Sequence, residues 1–365
     1  MNLCDLAVDS IAALQPYVPG KPIEELQRQY GVRDVIKLAS NESPIGPSQA
    51  ALAAIALATR DLTRYPDGNG FTLKQALAEK FQLDAGQITL GNGSNDVLEL
   101  IARCFVSPVD EVIFSQHAFA VYPLVAQAIG ASLVEVPAKD FGHDLTAMQQ
   151  AITPKTKLVF IANPNNPTGT YVAANEIYGF LQAIPDNVIV VLDEAYVEYG
   201  DNEQNSIDWL KEFPNLIICR TFSKAYGLAG LRVGFALSST EIADLLNRLR
   251  QPFNVNHLAM SAAIAALGDE DYLQRAKQVN AEGMQQYIEG FNKLGLSYIP
   301  SKANFICVDV ATHAADIYEK LLQQGVIVRP VAGYGLPTHL RISIGLEHEN
   351  QRCLEALENS LAEAK

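Results

Sequence analysis

The run 187–193, Asn-Val-Ile-Val-Val-Leu-Asp, is apolar at every position between its polar ends. A strand with one wet face alternates apolar and polar residues. An unbroken run of this kind therefore belongs to a strand covered on both faces, with helices on each side of its sheet. Comparable runs fall at 88–90, 111–115, 157–162, 215–219 and 232–237. Helical periodicity lies between them at 71–81, 95–105, 119–129, 145–152 and 174–183. The alternation predicts an α/β domain with a mostly parallel central sheet. After 241 the pattern changes. Residues 241–294 read almost entirely as helix, followed by short strands near 304–310, 326–329 and 339–344 and helices at 314–323 and 347–362. Three parts are expected: an N-terminal arm over 1–40, where Pro16, Pro19 and Pro22 crowd together, a large α/β domain over 41–250, and a smaller α+β C-terminal domain over 251–365.

Charge and composition narrow the partners. Forty-one acidic against 27 basic residues leave a net charge of −14, which argues against nucleic acid or an anionic membrane. The longest clean apolar run, 50–58, is too short to span a bilayer. The first residues lack the basic start and apolar core of a signal peptide. Five scattered cysteines without a CxxC spacing suit a reduced cytoplasm, and six histidines without an HExxH pairing lead us to expect no metal site.

The stretch Thr221-Phe-Ser-Lys224-Ala-Tyr-Gly-Leu-Ala-Gly-Leu-Arg232 sets a lysine among small and apolar residues. Such surroundings penalise the ammonium form and leave an amine able to attack an aldehyde. Arg232 adds a fixed charge suited to phosphate. An aldehyde that carries a phosphate describes pyridoxal phosphate.

Other motifs offer partners for that group, each with a plainer reading beside it. Asp193 ends the most apolar strand, where ligands of open α/β sheets bind. It suits a pyridine nitrogen, or simply caps the next turn, and Tyr196 lies three residues on. The turn Asn163-Pro-Asn-Asn166-Pro-Thr-Gly169 either closes a strand end or aims an asparagine at a ligand. Gly91-Asn-Gly93-Ser94-Asn95-Asp96 leads from a strand into a helix whose free N–H groups suit an anion. Asp96 holds the third glycine position of GxGxxG, which weakens a dinucleotide reading. Phe119 is either a ring to stack on a flat cofactor or core. Arg329 and Arg341 are bidentate clamps for an anion or solvated strand residues.

In order and spacing, these motifs resemble the fold-type I PLP-dependent aminotransferases, most closely their histidinol-phosphate branch. The likeness runs from Gln15-Pro-Tyr17 through Asn41-Glu-Ser-Pro, Arg64-Tyr65-Pro-Asp67 and the motifs above to Leu340-Arg341-Ile. It implies the fold of that class, a large domain with a mostly parallel sheet and a smaller α+β domain. It also implies that Lys224 binds the cofactor aldehyde, Asp193 pairs with the ring nitrogen, and Tyr196 and Asn166 hold the ring oxygen. Phe119 would stack on the ring, and Ser94, Asn95, Thr221, Ser223 and Arg232 would hold the phosphate. Further, it implies a cytoplasmic homodimer in which Tyr65 reaches the neighbouring subunit's phosphate. Tyr17, Asn41, Arg329 and Arg341 would bind substrate, with histidinol phosphate and glutamate or 2-oxoglutarate in turn.

Two alternatives stand beside this. One is an aromatic amino acid aminotransferase of the same branch. The other is a ligand-sensing regulator on the same fold, which needs a DNA-binding module that the short acidic N-terminal segment does not supply.

Overall fold

The computed structural model describes residues 3–16, 20–200 and 205–363. Seven strands form the central sheet, in the order Ile88–Gly91, Gly234–Leu237, Leu216–Thr221, Ile189–Asp193, Thr156–Ala162, Glu111–Ser115 and Ser132–Val136. Gly234–Leu237 runs antiparallel to both its neighbours, and the remaining pairs are parallel. Period-two geometry explains why the strands read as unbroken apolar runs. Val159, Ile161, Val190 and Leu192 enter one core, while Leu158, Phe160 and Val191 enter the core on the opposite face.

The edge strand Ser132–Val136 was not expected. Its residues are mostly exposed, so it carries no continuous apolar run. The expected helical stretch 241–294 is broken into Thr240–Leu249, His257–Leu267 and Glu270–Leu294. Pro252 falls in the first gap. Asn256 and Asp269 restart the chain as N-caps, accepting from the backbone N–H groups of Ala259 and Tyr272. The middle helix packs in the first core with Ala51 and Leu73.

A second, antiparallel sheet has the order Arg329–Pro330, His339–Ser343, Phe305–Asp309 and Ser297–Ile299. Helices Ala314–Gln323 and Glu347–Ala362 have the bounds expected, and their apolar faces build a separate core with Ile306, Val308 and Leu340. The first forty residues contribute more than an arm. Helix Ile23–Tyr30 buries Leu26 against Leu322 and Ile327, and Ile36–Lys37 pairs in parallel with Val326–Ile327. A run of two residues is too short for periodicity to reveal. Among the described residues no helix is long and apolar enough to cross a membrane.

Candidate active site

A cavity of about 360 Å³ opens at the carboxyl ends of the parallel strands, against the second sheet. Thirteen of the fifteen residues singled out from the sequence line it: Asn41, Ser94, Asn95, Phe119, Asn166, Asp193, Tyr196, Thr221, Ser223, Lys224, Arg232, Arg329 and Arg341. Tyr65 does not. It is 82% exposed and stacks on Phe253 with ring centroids 4.8 Å apart. Tyr17 lies outside the described residues.

Lys224 follows the strand Leu216–Thr221, and its amine donates to the Ser40 carbonyl at 3.0 Å. Burial, reinforced by the Arg341 charge, pulls its pKa down to about 7. A large share is therefore free amine near neutral pH.

Asp193 is buried, and both its oxygens accept. Tyr122 Oη donates to one at 2.8 Å and the Ala195 N–H to the other at 3.2 Å. The carboxylate thus supports the following turn and also faces the cavity. Burial raises its pKa to about 6, opposed by the Tyr122 hydrogen bond.

Tyr196 Oη accepts from Asn41 Nδ2 at 2.9 Å and from Asn166 Nδ2 at 3.2 Å. Those amides are oriented in turn, Asn41 Oδ1 by Ser343 Oγ and Asn166 Oδ1 by Arg341. With its acceptor capacity taken, the phenol keeps its proton for a ligand oxygen in the cavity. Within the turn 163–169 the asparagines divide their work. The Asn163 side chain bonds both backbone groups of Val172, and Asn165 donates to the His117 carbonyl. Only Asn166 reaches the cavity.

The anion cradle is built by close approach. Helix Ser94–Phe105 begins after Gly93, at φ 85°, with no side chain capping it, so its first N–H groups remain to receive a ligand. A Cβ on Gly93 would sit 2.4 Å from Arg232 Nη2, and one on Gly234 would sit 2.5 Å from Ser94 N. Only glycine lets these pieces meet. Arg232 itself is held at φ 57°, donating to the Ala229 carbonyl at 3.1 Å. A non-glycine residue in that region is a strained arrangement that persists where the surroundings impose it.

At the cavity's other end, Arg329 and Arg341 are directly opposed on antiparallel strands, which puts both on one face of the second sheet. Arg341 is 6% exposed, donates to the Ala39 carbonyl at 2.7 Å, and has an Nε that finds no partner. A buried guanidinium with a donor unused is suited to an incoming anion.

Sequence reasoning missed Tyr122, whose only signal is its place three residues after Phe119, at the start of helix Val121–Ile129. It also missed the buried pair behind the strand ends. There Arg220 donates twice to Glu194 Oε2, at 2.9 and 2.7 Å, and Ser206 donates to the other oxygen.

A nucleophilic lysine between two cationic ends, on this sheet order, defines a group-transfer site of the aminotransferase type. The family described as aminotransferase class I and II matches residues 33–358, and the chain belongs to it. Among its relatives, histidinol-phosphate aminotransferase 2 of Pseudomonas fluorescens is 57% identical over 365 residues, covering 99% of each chain. That of Pseudomonas aeruginosa is 57% identical over 361 residues, covering 98% of each. The crystal structure of histidinol-phosphate aminotransferase from Sinorhizobium meliloti in complex with pyridoxal-5'-phosphate superposes with a TM-score of 0.92 at 33% identity, covering 98% of each chain. Aspartate aminotransferase from Thermus thermophilus shares the fold, with a TM-score of 0.83 at 22% identity over 97% of this chain and 99% of its own.

Proposed function

We propose that the chain is a PLP-dependent transaminase interconverting L-histidinol phosphate and 2-oxoglutarate with imidazole-acetol phosphate and L-glutamate. The observation that carries this reading is the half-buried Lys224 amine lining the same cavity as two sets of cationic groups. One, at Arg232 and the Ser94 helix start, suits the cofactor phosphate. The other, at Arg329 and Arg341, suits a substrate anion.

Pyridoxal phosphate would be held by Ser94, Asn95, Thr221, Ser223 and Arg232 at its phosphate, by Asp193 at the ring nitrogen, by Tyr196 and Asn166 at the ring oxygen, and by Phe119 at the ring face. Bound there, it supplies an electrophilic aldehyde and a ring that accepts electron density. Lys224 acts first as nucleophile. As a free amine its Nζ would be the base that takes the proton from the substrate's amine-bearing carbon, a role its lowered pKa suits. Arg329 and Arg341, with Asn41, would hold the substrate anion. Guanidinium forks accept phosphate and carboxylate alike, so one pocket serves histidinol phosphate and glutamate in turn.

The test is a steady-state comparison of amine donors. Histidinol phosphate should give the highest kcat/KM, above phenylalanine and tyrosine. Faster turnover of either amino acid would assign the chain to the aromatic alternative.

The working unit of this reading is a cytoplasmic homodimer. Leu57, Leu62, Tyr65, Phe71 and Phe253 expose apolar side chains, as a face covered by a second copy would. Tyr65, exposed and outside the lining of its own cavity, would complete the partner's phosphate site. Sedimentation should give a dimer, and Tyr65→Phe should weaken PLP binding about tenfold without changing the mass, as for one lost bond to a charged group. A monomeric protein would remove the dimer. Unchanged PLP affinity would remove Tyr65 from the site. Cys104, Cys219, Cys307 and Cys353 are placed without disulfides, as a reducing compartment would keep them. By function, we take 41–250 as the cofactor-binding domain and 251–365 as the smaller one, with helix His257–Leu267 packing back on the first.

A further inference from the structure

Tyr122 is fully buried on helix Val121–Ile129, and nothing in the proposed chemistry uses it. Its ring lies flat on Phe160, with centroids 4.4 Å apart and planes 4° from parallel, and meets Phe119 edge-on at 5.8 Å. The stack fixes where the hydroxyl points, and it donates to Asp193 Oδ2 at 2.8 Å. Burial and the neighbouring carboxylate hold the phenol well above its ordinary pKa, so it remains a donor.

We infer that Tyr122 is a positioning residue that keeps the Asp193 carboxylate ionised and aimed, so that the proton shared with the cofactor ring resides on the ring nitrogen. The inference rests on PLP occupying this cavity. Asp193 sits where Phe160, Ala162 and Cys219 are buried, and such surroundings favour a neutral carboxyl. In that setting the proton between carboxylate and ring nitrogen can rest on either. A donor on Oδ2 stabilises the anion and moves the proton to the ring, which is the form that accepts electron density. The donors on the two oxygens, from Tyr122 and Ala195, also fix the carboxylate rotamer.

The experiment compares wild-type protein with Tyr122→Phe, using two probes: PLP, and its deaza analogue with carbon in place of the ring nitrogen. Dissociation constants are measured on cofactor-free protein by equilibrium dialysis. Loss of one bond to a charged group should weaken PLP about tenfold and leave the deaza analogue within about twofold. In the loaded enzyme, kcat for histidinol phosphate should fall more than KM rises. The magnetic resonance shift of the isotope-labelled ring nitrogen should move toward that of a neutral pyridine. Equal weakening of both probes would show a packing role and overturn the inference, as would no weakening of either. Wild-type protein that bound neither probe would overturn the cofactor reading, and this inference with it. If Tyr122→Phe does not fold, a fluorotyrosine at position 122 keeps the ring and donates more strongly. It should move the nitrogen shift toward the protonated value, and an unmoved shift would overturn the inference.

Discussion

Lys224→Ala protein should lack the visible absorbance of lysine-bound pyridoxal phosphate and should lose transamination by at least about 10³-fold, the scale of a general base alone. The loss is expected to be this deep because nothing nearby can substitute. Lys224 is the one lysine lining the cavity among the described residues. Lys37, which lies near enough to act on its charge, is engaged in an ion pair with Glu42 at 3.0 Å. The side chain has two duties, attack on the aldehyde and proton transfer at the substrate carbon, and alanine removes both. The absorbance and the turnover are separate readings of them. Retained visible absorbance with lost turnover would leave Lys224 as the base only, and an unchanged spectrum with unchanged turnover would remove it from the chemistry altogether. The pH dependence follows from the direction of its shift. Burial disfavours the ammonium, so the free amine accumulates as pH rises through about 7 rather than above the ordinary lysine range. Capture of PLP by cofactor-free wild-type protein should accelerate across that window and then level off. Acceleration only near the ordinary lysine value would contradict the burial argument. Methylamine added to Lys224→Ala should restore part of the proton transfer, since a small amine fits the space left. It lacks the orientation that a tethered base brings, so the restoration should be weak.

The elements that could be read from sequence are those whose signal is local. Phe71–Phe81, Ala174–Ala183 and Glu347–Ala362 have the expected bounds because each helix carries its own periodicity. Asp193 and Lys224 announce themselves by a strand end and by an apolar, glycine-rich setting. What escaped depends on contacts far along the chain. Tyr122 reads as an ordinary core aromatic until Asp193, 71 residues away, is placed beside it. Asn41 is expected through the family resemblance alone, and its contacts with Tyr196 and with Ser343, 302 residues on, leave no local signal. Ser132–Val136 is a strand because Glu111–Ser115 offers it an edge, not because its own residues are apolar. The same logic explains the broken helical stretch after 240. Apolar periodicity continues across Pro252 and Asp269, while caps and the shape of the first core decide where the chain turns.

Arg341→Ala should weaken histidinol phosphate and glutamate together, by about 10- to 150-fold each in KM, the range for loss of one bond to a charged group. The shared loss follows from where the guanidinium stands. It faces the cavity from the second sheet, directly across from Arg329, and its unpartnered Nε is a donor that no protein atom uses. Two substrates that differ at their far ends but carry an anion would both use it. Alanine also leaves the Asn166 Oδ1 and the Ala39 carbonyl without their donor, and removes the cation held 5.2 Å over the Phe305 ring. Arg341→Lys separates these effects. It keeps a charge but not the fork, so it should recover part of the affinity and little of the Asn166 orientation. A second readout comes through Lys224. The Arg341 cation disfavours a second positive charge beside it, so removing it lets the Lys224 pKa rise. The pH at which Lys224 becomes reactive should therefore move upward in Arg341→Ala. If only one substrate lost affinity, the two would have separate anion pockets. If both lost it while the Lys224 titration stayed in place, Arg341 would be too far from the amine, or too well screened, to act as the geometry requires.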